Sequence, residues 1–182
     1  MIFQNFAPLA IDTSTNVLMT TIENPILTTF SKIVAVSFDT VSLVIISVLI
    51  SAYFFYRNQG KKELFFASAM VVSGGVIYFL KELFQRVRPM NQLMIETNFS
   101  FPSGHATVST VFVFLLAYLY TKGKSAGTKK LVYLVAGIIA LIVGFTRVYL
   151  RVHWLTDVLA GFIIAAVILF GAIFVEKRFR KV

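Results

Sequence analysis

Two histidines, one aspartate and a spaced set of cations are the residues of this chain suited by type and position to chemistry. His153 and Asp157 stand four apart in the stretch Thr146-Arg147-Val-Tyr-Leu-Arg-Val-His153-Trp-Leu-Thr-Asp157. That spacing puts both on one face wherever a helix has begun. An aspartate accepting from one ring nitrogen fixes the tautomer and leaves the other nitrogen free to attack. It also stabilises the positive charge that develops on the ring.

A second stretch is Phe101-Pro102-Ser103-Gly104-His105, just before an apolar run. Serine is a favoured N-cap, glycine permits close backbone approach, and the free N–H groups of a helix start make an anion site. His105 at that mouth is placed to give a proton to a leaving oxygen. The third stretch runs from Lys81 to Arg88-Pro89. Seven residues separate the two cations, so a continuing helix would carry both on one stripe, two turns apart, to grip two sides of a phosphate. Pro89 discourages helix beyond that point.

Each stretch also has a plainer reading. Lys81 alone is a snorkelling anchor at a helix end, Ser103-Gly104 a simple helix start, and His153 with Asp157 a structural pair. Arg86, Arg151 and Glu82 fit surface or interhelical pairing, and Trp154 an interfacial anchor. Jointly these readings require both histidines, an aspartate and three spaced cations to gather on one membrane face by chance, where charge is costly. Metal is not needed to explain the set, because two histidines and one aspartate among many cations form a thin ligand field.

The elements positioning these residues are membrane spans. Of 182 residues, 58% are hydrophobic and 14% charged, more apolar surface than a soluble domain of this length can hide. The absence of cysteine removes disulfides, thiolate metal sites and cysteine nucleophiles. Five apolar segments have the length of a crossing: Ile33–Tyr56, Leu64–Leu80, Ser103–Tyr120, Leu131–Val148 and Leu155–Val175. Asp39 lies in the first, near the membrane surface. In residues 1–32, Leu18, Ile22, Ile26 and Phe30 form one apolar helical face that Asn24-Pro25 should interrupt, which fits an interfacial helix. The first basic residue is Lys32, so no secretory signal peptide is visible. The expected organisation is one all-α membrane domain over 1–182: an interfacial segment 1–32, a transmembrane core 33–175 and a basic tail 176–182.

The net charge of +9 is distributed as topology signals rather than as a nucleic-acid surface. Arg57, Lys61 and Lys62, then Lys122, Lys124, Lys129 and Lys130, then Lys177, Arg178, Arg180 and Lys181 all fall on one side of a five-span chain, the expected cytoplasmic side. Lys32, Lys81, Arg86, Arg88, Arg147 and Arg151 lie on or near the other face. Five of these six share their linkers with the two histidines, which puts the candidate site on the extracytoplasmic face.

The three stretches closely resemble the motifs of the type 2 phosphatidic acid phosphatase family, which includes the vanadium haloperoxidases: K-x6-R-P, P-S-G-H and S-R-x5-H-x3-D. Lys81, Arg88 and Pro89 match the first, Pro102 to His105 the second, and Arg147, His153 and Asp157 the third. Thr146 replaces the usual serine of the third motif and keeps a hydroxyl. Membrane members usually have six spans, so the resemblance implies a further span before residue 1. It implies that His153 attacks phosphorus to form a phosphohistidine, helped by Asp157. His105 would protonate the leaving group, while Lys81, Arg88, Arg147 and the Ser103–Gly104 region hold the phosphoryl oxygens. It implies no cofactor and no metal.

The expected function is therefore hydrolysis of a lipid phosphate or diphosphate in the plasma membrane. Candidate substrates are undecaprenyl diphosphate, phosphatidylglycerophosphate and phosphatidic acid, with weak preference for the first. A lipid phosphotransferase using the same phosphohistidine is the alternative, and a headgroup binder or transporter without chemistry is a third reading. The sequence leaves the oligomeric state open.

Overall fold

The computed structural model describes residues 7–179, and among them all regular structure is helical. The helices are α1 (Ala10–Thr21), α2 (Pro25–Ser37), α3 (Thr40–Tyr56), α4 (Gly60–Phe84), α5 (Gly104–Thr121), α6 (Ala126–Tyr149) and α7 (Leu155–Phe179). Four described segments are long and apolar enough to cross a bilayer: Leu64–Phe84, Gly104–Thr121, Ala126–Tyr149 and Leu155–Arg178. A fifth is added if α2 and α3 count as one bent crossing.

Local chemistry sets the helix starts. Asn24 caps α2, its Oδ1 accepting from the Leu27 N–H at 2.9 Å, and Pro25 occupies the first helical position, where a missing N–H costs nothing. Asp39 caps α3 through the Ser42 N–H at 2.6 Å. Ser103 and Ser125 cap α5 and α6.

The Asp39 cap corrects the first expected span. Ile33–Tyr56 is not one helix: it breaks at Phe38 and Asp39, and the axis bends by 46° between Pro25–Ser37 and Ser42–Tyr56. The carboxylate inside the apolar run is the start signal of a new helix. Residues 1–32 change accordingly. The chain does break at Asn24-Pro25, but the apolar face divides between α1 and α2, and Leu18, Ile22, Ile26 and Phe30 all point outward. Residues 1–6 lie outside the described residues, as do Arg180 and Lys181 of the basic tail.

Helix α5 is the centre of the bundle, packed by α4, α6 and α7. Val111 and Leu115 are fully buried there, and Phe112 meets Phe66 of α4 edge-on with ring centroids 5.8 Å apart. Three of its buried hydroxyls are satisfied within the fold: Thr107 bonds to the carbonyls of Ser103 and Gly161, at 3.0 and 3.1 Å, Ser109 donates to that of His105 and Thr121 to that of Ala117, whereas the Thr110 hydroxyl has no partner among the described residues. Large apolar side chains such as Val71, Phe79, Ile163, Val167 and Phe170 are exposed, the surface a bilayer rather than water would cover.

Small residues bring α7 onto α5. A Cβ on Gly161 would lie 3.0 Å from the Ser103 carbonyl oxygen, and Ala165 is fully buried. Close backbone approach between spans is what small residues permit. The Ser103 N–H donates to the Asp157 carbonyl at 3.0 Å, tying the first turn of α5 to the first turn of α7. Helices α1 and α2 lie over this same end. Asn24 meets the Tyr149 hydroxyl at the end of α6, with its N–H donating at 3.1 Å, and the Ala35 carbonyl meets His105 at the start of α5.

Candidate active site

Helix α4 carries Lys81 in its last turn and then stops. Gln85 takes the left-handed conformation (φ 46°) while its N–H still donates to the Lys81 carbonyl, and the chain leaves the helix axis. Arg88 is therefore not two turns further along a helical stripe. It approaches Lys81 from an irregular loop, residues 85–103, and both cations reach one segment: the ammonium of Lys81 and the guanidinium of Arg88 each donate to the Phe99 carbonyl. The seven-residue spacing brings the pair together by a turn back, not by helical period.

The loop between α6 and α7 holds the other half. Arg147 ends α6, and its carbonyl accepts from the N–H groups of Val152 and His153 at 3.3 Å each. His153 precedes α7, so the expected shared helical face is replaced by a loop-to-helix contact: its Nδ1 lies 3.5 Å from Asp157 Oδ2, longer than a formed hydrogen bond. Its Nε2 lies 3.1 Å from Arg88 Nη1. A guanidinium only donates, so Nε2 carries its lone pair in this contact and the proton falls to Nδ1, on the Asp157 side. Burial, together with the charges of Arg88, Arg147, Lys81 and His105, holds His153 well below the usual histidine range, as the neutral ring.

Asp157 is itself held from several directions. The Trp154 N–H donates to Oδ2 at 2.9 Å, and Arg86 donates to Oδ1 at 2.5 Å. Sequence reasoning left Arg86 without a role beyond surface or interhelical pairing. The structure shows the interhelical option: its guanidinium is fully buried between Asp157 of α7 and Asp12 of α1, and it also bonds to the Thr156 hydroxyl. Asp12 in turn accepts from the Thr156 backbone and hydroxyl, at 2.9 Å each. Burial would raise the Asp12 carboxyl, but these bonds and the one from Arg86 outweigh it and hold it below the usual range. Arg151, given the same expectation, braces the loop with Nη1 on Glu23 and Nε on the Asn91 carbonyl. Trp154 donates its indole N–H to the Val87 carbonyl at 2.9 Å, with the Arg86 guanidinium 5.8 Å from the ring.

The second unforeseen residue is Glu96. One carboxylate oxygen pairs with Arg147 Nη2 and the other with Arg88 Nη2, the latter at 3.0 Å. Burial works against the carboxylate, yet Arg147 and Arg88 keep its pKa below the usual value. Arg147 is fully buried and, of its three nitrogens, Nε and Nη1 have no hydrogen-bond partner. Buried donors without acceptors are rare and mark a place where an anion is expected. A charge count would have exposed both omissions, since six carboxylates, Asp12, Glu23, Asp39, Glu82, Glu96 and Asp157, belong with the excess cations at this end.

A cavity of about 1050 Å³ opens on this site. Lys81, Arg88, Glu96, Asn98, Gly104, His105 and His153 line its polar end. Ser103 and Asp157 are buried behind it, with the Ser103 hydroxyl engaged as the α5 cap at 3.4 Å from the Ala106 N–H. His105 places Nε2 3.3 Å from the Ala35 carbonyl. From there the cavity continues between α3 and α4, along Leu43, Val44, Val48, Met70, Val71 and Ile77.

Over residues 62–181 the sequence matches the PAP2 superfamily. The crystal structure of a transmembrane PAP2-type phosphatidylglycerolphosphate phosphatase from Bacillus subtilis has a TM-score of 0.85 to this fold. It is 32% identical, with 92% of this chain and 85% of that chain covered. The chain belongs to the PAP2 superfamily. Phosphatidylglycerophosphatase B of Bacillus subtilis (strain 168) is 44% identical to this PAP2 protein over 108 residues, 56% of this chain and 53% of the relative. A putative undecaprenyl-diphosphatase of Escherichia coli (strain K12) is 36% identical over 101 residues, 52% of this chain and 47% of the relative. The chain thus spans about half the length of the curated relatives it matches. Like the Bacillus structure, this PAP2 chain is a multi-pass membrane protein.

Proposed function

We propose that this chain is a lipid phosphate phosphatase that works through a phosphohistidine on His153. The observation that carries the reading is the cavity, which joins a cationic, histidine-lined end to an apolar channel between α3 and α4. A phosphate ester with a long hydrocarbon tail has that division of character. The unpartnered Arg147 donors, with Arg88 and Lys81, supply the grip on phosphoryl oxygens.

In this mechanism His153 Nε2 attacks phosphorus and the bond to the leaving oxygen breaks. His105 passes a proton to that oxygen. Asp157 stabilises the imidazolium, and water then cleaves the N–P bond to release phosphate. Lys81, Arg88 and Arg147 hold the phosphoryl oxygens, and the start of α5 at Ser103–Gly104 supports them with its dipole. The relatives' names favour phosphatidylglycerophosphate and undecaprenyl diphosphate about equally, so the initial preference for the diphosphate is not retained. The site end faces the extracytoplasmic side of the plasma membrane on this reading, supported by Arg57, Lys122, Lys124, Lys177 and Arg178 at the opposite helix ends.

The test is phosphate release by the purified protein in detergent, with a chelator present throughout. The substrates are phosphatidylglycerophosphate, undecaprenyl diphosphate, phosphatidic acid and a soluble phosphate monoester. At least one lipid should be cleaved with a far higher kcat/KM than the soluble ester. Equal cleavage of the ester would remove the lipid assignment, and label moving to an acceptor lipid would indicate transfer instead.

The pH dependence follows from the buried ring. His153 attacks only when neutral, and its depressed pKa keeps it neutral at pH values where a free histidine, near ~6.5, would be protonated. The acid limb of kcat/KM should therefore fall below ~6.5, with an alkaline limb where His105 can no longer supply a proton. An acid limb at or above that value, or a flat profile, would count against these roles.

A further inference from the structure

Glu96 lies where a substrate phosphate would have to go. The side chains of Arg147 and Arg88 are almost wholly buried, and cations so placed are not left without a counter-charge. Glu96 provides it by giving one oxygen to each guanidinium, the arrangement in which two arginines also hold a phosphoryl group. Its position on the chain differs from that of Arg147, while Arg88 shares its loop. Arg147 belongs to a helix, whereas Glu96 sits in the irregular loop before α5, between the exposed residues Ile95 and Thr97. The recorded backbone tether at Glu96 is its own N–H, which donates to Gln92 Oε1 at 3.0 Å.

We propose that Glu96 is a resident counter-anion of the phosphoryl seat, displaced by the substrate phosphate and returning as phosphate product leaves. The inference rests on the reading of Arg88 and Arg147 as the phosphate grip. A doubly charged phosphate and a carboxylate repel each other at this distance, so the loop withdraws Glu96 as the phosphoryl group enters. Net affinity for phosphate is then the difference between two anions competing for the same donors. The product is kept weak because the carboxylate reclaims both guanidiniums.

A scaffolding role, in which Glu96 only holds the arginines in place, predicts the opposite sign. Calorimetric titration of the full chain in detergent with inorganic phosphate separates the two. Glu96→Gln should bind phosphate at least about tenfold more tightly than wild type, and phosphate should become a correspondingly stronger product inhibitor. Glu96→Asp, which keeps the charge, should bind no tighter than wild type. Weaker or unchanged binding by Glu96→Gln overturns the proposal, as does loss of fold in Glu96→Gln with retention in Glu96→Asp. The titration needs no turnover. A tightened Glu96→Gln alongside a wild type that hydrolyses no lipid would sink the phosphatase reading alone. Weakened binding beside active wild type would sink this inference alone.

Discussion

His153→Ala should release phosphate at least on the order of 10⁴-fold more slowly than wild type while still binding inorganic phosphate. The nucleophilic nitrogen is lost, yet the groups proposed to hold the phosphoryl oxygens remain. Arg88 keeps its bonds to the carbonyls of Asn98 and Val152, and Arg147 keeps Glu96. His105→Ala removes proton donation, along with the contact to the Ala35 carbonyl, and should cost about 10²–10⁴-fold, with the smaller loss on substrates whose leaving group needs no proton. Phosphate release under single-turnover conditions, alongside calorimetric binding, checks both. Wild-type turnover in His153→Ala would mean that the attacking atom has been misassigned.

The second large effect is on stability and activity together. Arg86→Ala leaves Asp12 and Asp157 buried without their shared cation, and removing one partner of a buried ion pair costs about 3–5 kcal/mol. Thermal unfolding in detergent should begin at a clearly lower temperature, and turnover should fall because Asp157 loses the group that fixes its Oδ1. Arg86→Lys should restore little, since one ammonium cannot fork between two carboxylates as a guanidinium does. Asp12→Asn keeps most of the hydrogen bonds and should be intermediate. An Arg86→Ala protein with wild-type unfolding and wild-type kcat would show that the triad of charges is incidental.

Much of the site was legible in the sequence because its parts are local. Ser103-Gly104-His105 is a cap followed by a helix, and it appears as one; His153 and Asp157 are close enough in sequence to meet in any compact turn. What stayed hidden depends on residues far apart in the chain. Arg86 and Asp12 are 74 positions apart, and Arg147 and Glu96 are 51 apart, so neither pairing leaves a local pattern. The end of α4 was hidden for a different reason: glutamine at position 85 takes a left-handed conformation usually signalled by glycine or asparagine. In α1 and α2 the periodic large residues, Leu18, Ile22, Ile26 and Phe30, mark the outer surface, while Asp12, Ser31 and Ala35 face inward. Hydrophobic period in a membrane protein finds the lipid side as readily as the core.

The tie from the Ser103 N–H to the Asp157 carbonyl, reinforced by Gly161 against the same turn of α5, has a consequence for how such a protein diversifies. The groups proposed to react, His105, His153 and Asp157, lie on α5, α7 and the loop before α7, whereas the apolar channel runs between α3 and α4, with Lys81 at the end of α4. On the proposed function, substitutions at Val44, Val48 or Val71 would reshape the wall that meets the hydrocarbon tail without moving those three side chains. On that reading, the groups that react and the wall that meets hydrocarbon can change independently of each other.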